Sequence, residues 1–83
     1  MNADINLTGN LTFGTVHKLY TQPPKFATDT QINLQNLGEV DSAGLALLIH
    51  WHTQMVGKLT YQNPPQQLLQ MAKISGVEYL FGN

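Results

Sequence analysis

Apolar and polar residues alternate in some stretches of this chain and recur at helical spacing in others. Ile5-Asn6-Leu7-Thr8 alternates, and so does the stretch from Gln31 to Leu37 through Ile32 and Leu34. Each reads as a half-buried strand. Gly9-Asn10 is turn chemistry. Beyond it Phe13, Val16, Leu19 and Tyr20 fall at spacings of three and four, which predicts a short amphipathic helix over 14–21. Pro23-Pro24 stops that helix and opens a long loop reaching Thr30.

Gly38-Glu39-Val40 reads as a tight connection into Asp41-Ser42. Both of the latter are good helix caps, because their side-chain oxygens accept the free N–H groups of a first turn. An apolar helix over 43–56 follows, with Gly57 as its stop. At about 100° per residue, Leu45, Leu48, Ile49, His52, Met55 and Val56 share one face of it. Leu59-Thr60-Tyr61 marks a strand over 58–62. Asn63-Pro64-Pro65 then starts a third helix, with Asn63 as cap and proline in the first turn. Leu68, Leu69, Ala72 and Ile74 form its buried stripe, Gly76 ends it, and Val77 to Phe81 reads as a last short strand.

The order β-α-β-α-β-α-β predicts an α/β fold. It is a single domain over 1–83, with a small sheet of about four strands, parallel neighbours and three helices mainly on one face. Eighty-three residues support one core, with net stability on the order of a few kcal/mol. The lack of cysteine favours a reducing compartment. The opening Met1-Asn2-Ala3-Asp4 has neither a basic region nor an apolar stretch after it, so no signal peptide is expected. The longest strictly apolar run, Leu45 to Ile49, is far too short to cross a bilayer.

Charge narrows the partner. The four basic residues are all lysine, so the arginine-rich patch of a nucleic-acid binder is lacking. No helix carries the lysine-rich face of a membrane-surface helix. Most polar character comes from Thr, Gln and Asn, which steer little at long range. A partner is met by shape and apolar contact.

The segment Val40-Asp41-Ser42-Ala43-Gly44-Leu45-Ala46-Leu47-Leu48 stands out. It places a hydroxyl at a helix start, where free N–H groups and the helix dipole favour negative charge. Ser42 can be a cap, a partner contact or a phosphosite. Ala43 and Gly44 leave the backbone bare for a close approach. Leu47 and Trp51, one turn apart, either widen the core stripe or form a binding patch; the second reading predicts that Trp51→Ala weakens partner binding more than folding. His50 and His52 point to nearly opposite helix sides and cannot chelate one ion, so no metal is expected. No phosphate-binding loop, dinucleotide fingerprint or nucleophile elbow is present, so no cofactor is expected either. Asp41 has no evident catalytic companion, which argues against an enzyme. Two Asn-x-Thr patterns, at Asn6 and Asn10, are read as chance.

Asp41-Ser42-Ala43-Gly44-Leu45 at a strand-to-helix junction resembles the STAS domain family, the fold of anti-sigma-factor antagonists. Leu7-Thr8-Gly9-Asn10-Leu11, Ile32-Asn33-Leu34 and the late Leu-Thr-Tyr strand and helix are similar to its pattern too. Gly44-Leu45-Ala46-Leu47-Leu48-Ile49-His50 is most similar to the MlaB-type STAS subunit of the Mla phospholipid-transport ABC complex. The family's usual additional strand ahead of Ile5 has almost no sequence here, so an altered sheet edge is expected. The resemblance implies a non-catalytic cytoplasmic subunit, peripheral to the inner membrane through its partner, that docks on the transporter's ATPase. Asp41, Ser42, Ala43, Gly44, Leu47 and Trp51 are then candidate contacts. The alternative it implies is an antagonist phosphorylated on Ser42 by an anti-sigma serine kinase in a partner-switching pathway.

Overall fold

The computed structural model describes residues 2–82. Its elements run β1 (Asn2–Asn6), β2 (Gly9–Leu11), α1 (Val16–Thr21), β3 (Asp29–Asn33), β4 (Leu37–Val40), α2 (Ser42–Gln54), β5 (Lys58–Gln62) and α3 (Gln66–Ile74), closed by a 3₁₀ helix over Glu78–Phe81. β3 lies between β1 and β5, all parallel, and β2 pairs with β4, also parallel. This is the mixed α/β architecture with three α-helices and a parallel sheet.

Alternation sets which way the sheet faces. Ala3, Thr30 and Leu59 form one cross-strand row, and Ile5, Ile32 and Tyr61 another. Both point into the core, where Thr30, Ile32 and Tyr61 are buried. Residues between them, such as Asp4 and Gln31, face water. Val16 of α1, five residues of α2, Leu68 and Ala72 of α3 and Leu80 join the same side of the fold. Thr30 is polar yet satisfied: its hydroxyl accepts from Ala27 N at 2.9 Å and donates to Ala27 O at 3.1 Å.

Several local expectations are corrected. The strand expected at Ile5 to Thr8 starts earlier, and Gly9-Asn10 is not a turn but the start of β2. The ladder continues through Leu7 N, which donates to Asn33 O at 3.1 Å, so β1 and β2 form one bent path beside β3 and β4. Gly38-Glu39-Val40 is likewise strand rather than connection. The β2–β4 register shifts between Gly9 and Leu11. There Asn10 Oδ1 reaches across to accept from Glu39 N at 2.9 Å. It fills the space that a Cβ on Gly38 would occupy.

The third helix begins at Gln66 after a Pro65 cap without a side-chain bond. Asn63 is not the cap; it takes a left-handed φ of 54° and donates through Nδ2 to Asn33 Oδ1. Ile74 is not core but 88 % exposed. Gly76, with φ of 75°, does end the helix, and Val77 N returns to Ala72 O at 2.8 Å. The last segment coils into a 3₁₀ helix instead of a strand. Leu80 there is buried, and the Phe81 ring sits 6.0 Å from that of Tyr61.

The second helix turns a different face inward than its spacing suggested. It buries Gly44, Leu45, Leu47, Leu48 and Trp51, while His52 and Val56 are exposed. Ala43 to Ile49 is apolar on almost every side, so its periodicity leaves the facing direction open. The helix also stops at Gln54, and Met55 and Val56 leave its axis altogether.

Candidate functional site

Asp41 and Ser42 sit where β4 passes into α2. Asp41 is the cap, with φ of −125° and ψ of −172°. Its Oδ1 accepts from Ala43 N at 2.9 Å and Gly44 N at 3.2 Å, answering donors that the helix itself leaves free. Its Oδ2 accepts from Phe13 N at 3.0 Å, which lies 28 residues away in sequence. The Phe13 N–H is the main cause that holds the carboxyl below its usual range; burial opposes it, and the N–H groups of Gly44 and Ala43 add to the lowering. A carboxylate engaged in this way is a structural acceptor, poorly suited to carry protons.

Ser42 is thereby freed from capping. It is the first residue of the helix and is exposed. Ala46 and His50 follow it at intervals of four and are exposed as well, so the three line one side of α2. Ala43 and Ile49 border them, half-buried. The Tyr20 ring of α1 lies 5.3 Å from that of His50 and extends this side of the molecule. Phe13, in the turn between β2 and α1, stands beside Asp41 and is 84 % exposed.

Three candidate contacts lie elsewhere. Leu47 is 0 % and Trp51 3 % exposed, so of the two readings open for this pair both residues take the core one, and as candidate contacts they are corrected. The long loop after α1 is the reason: Phe26 folds back and sets its ring edge-on to Trp51 at 5.5 Å and 75°. Gly44 is buried too. Its bare backbone does admit a close approach, but Leu11 of the same chain makes it, with no room left for a Cβ.

Sequence reasoning missed Phe13 and Tyr20 as surface residues by assigning them to the buried stripe of the first helix. That helix starts only at Val16, which removes Phe13 from the stripe, and Val16 and Leu19 suffice to cover the core. The histidines on α2 meet separate aromatic partners, His50 tilted against Tyr20 and His52 edge-on to Tyr79 at 5.8 Å. Among the described residues no group of three or more histidine, aspartate or glutamate side chains comes together as a metal site. No helix among them is long and apolar enough to cross a membrane.

Residues 2–82 match a protein-family model described as Mlab, STAS domain, which spans nearly the whole chain. No curated protein and no solved structure shows a significant match.

Proposed function

The chain belongs to the STAS domain family, and on that footing we propose that it is a non-catalytic docking subunit of a lipid-transport ABC system. The side of α2 that begins at Ser42 binds the ATPase. One observation carries this reading: Asp41 takes over all the capping, which leaves the Ser42 hydroxyl exposed at the head of the Ala46–His50 line. Small residues at Ser42, Ala43 and Ala46 let a partner's backbone come close, and the tilted Tyr20–His50 ring pair supplies aromatic area at the edge. The working compartment is the cytoplasm, beside the inner membrane through the partner.

The test is affinity capture of the tagged chain from gently solubilised membranes of its host, with wild type beside Ser42→Glu. Recovery of an ABC ATPase and its permease with wild type, and their loss with Ser42→Glu at unchanged melting temperature, is the expected result. Capture of a soluble serine kinase without any transporter overturns it.

That second outcome matches the alternative, an antagonist switched by phosphorylation of Ser42. Its supporting observation is the same exposed hydroxyl at the first helical position. A phosphate there adds about 1.5 to 2 negative charges within a tightly packed contact. Intact mass of the native protein distinguishes a phosphorylated from an unmodified Ser42.

A further inference from the structure

A single exposed apolar residue is ordinary on a protein surface, but Phe13 is held in an unusual way. It sits in a turn where Thr12 O accepts from both Thr15 N and Val16 N at 2.9 Å. Thr12 N donates to Thr15 Oγ1 at 2.9 Å, and that hydroxyl donates to Asn10 O at 2.7 Å. Asp41 Oδ2 then ties Phe13 N to the cap of α2. These bonds close the turn on itself and tie it to β2, to the start of α1 and to the Asp41 cap, while the Phe13 side chain stays open to water. An aromatic side chain on a backbone already fixed loses little freedom on binding, which is what an interface anchor requires.

We propose that Phe13 is the specificity-determining anchor of the Ser42 surface, and that Asp41 is the positioning residue that sets Phe13 against it. This rests on the docking reading above. The partner surface then offers an apolar pocket the size of a phenyl ring beside a small polar site for the Ser42 hydroxyl. Asp41 thus does two jobs with two oxygens: Oδ1 completes the helix and Oδ2 fixes the distance from the helix end to the anchor.

The experiment is titration of the full chain against the purified ATPase subunit of the host's lipid-transport ABC system, with melting curves recorded in parallel. Phe13→Ala is expected to weaken binding about 30-fold with an unchanged melting temperature, and Phe13→Leu to recover part of it. Asp41→Asn keeps a capping oxygen but turns a donor toward Phe13 N or drops that contact. It is expected to weaken binding roughly tenfold in the wild type and hardly at all in the Phe13→Ala background, a coupling that a purely structural role would not produce. Phe13→Ala within twofold of wild type, while Ser42→Glu abolishes binding, overturns the anchor and leaves the docking reading standing. Additive losses from Asp41→Asn and Phe13→Ala overturn the positioning role. A wild-type chain that does not bind the ATPase overturns the docking reading and the anchor with it.

Discussion

Gly44, in the first turn of α2, lies with its bare Cα against the main-chain carbonyl of Leu11 in β2. That contact draws the bent outer strand onto the helix end, and Asp41 N seals it by donating to Leu11 O at 3.2 Å. The glycine in the Asp-Ser-Ala-Gly-Leu segment is therefore explained by folding before any partner is considered. Alanine in place of Gly44 gains helix propensity of about 1 kcal/mol. Its Cβ collides with the Leu11 backbone, whose displacement costs about 1–3 kcal/mol and separates β2 from α2. Urea denaturation of Gly44→Ala is expected to show a net loss of stability; a gain contradicts the contact.

Trp51 belongs to the same core that Leu47 and Phe26 complete. Trp51→Ala is expected to cost about 3–5 kcal/mol, most of what a chain of this size has. Circular dichroism should find the variant largely unfolded at 37 °C. Normal stability with only partner binding lost would restore the surface role that its burial argues against.

Tyr61 reaches from β5 to α2, where its hydroxyl donates to Leu48 O at 2.7 Å. Burial pushes the phenol well above its ordinary range, so it stays neutral through any physiological pH. Tyr61→Phe keeps the ring in the core and removes only this bond. The expected loss is about 1 kcal/mol in chemical denaturation, with no change in the pH dependence of folding between pH 6 and 9.

Asp41 has the opposite titration. Its carboxyl is held below the usual 3.8 by the three N–H groups it accepts, foremost that of Phe13. Its contribution to stability is complete above pH 3.8 and is lost as pH falls through the lowered folded value. The melting temperature of wild type is expected to fall more steeply than that of Asp41→Asn on acidification below about pH 4. Parallel curves for the two proteins would show that the carboxylate is not held by these bonds.

The α/β class, the parallel strands at Ile32 and Tyr61, the three helices and the capped junction at Asp41 are all legible along the chain. Those features rest on local physics: a period of two, a period near four, proline, and the acceptor of an N-cap. Packing between distant segments settles what local pattern leaves open. The segment from Ala43 to Ile49 is apolar nearly all round, so only packing against the sheet, with Phe26 returning over Trp51, chose the buried side. Gly9-Asn10 and Gly38-Glu39 look like turns because their strand character depends on each other, through the Asn10 side chain and a long-range ladder. Asp41 and Phe13 are 28 residues apart, and no spacing rule joins them. Closure of that distance by the folded sheet is what brings the Phe13 main chain to the cap of α2.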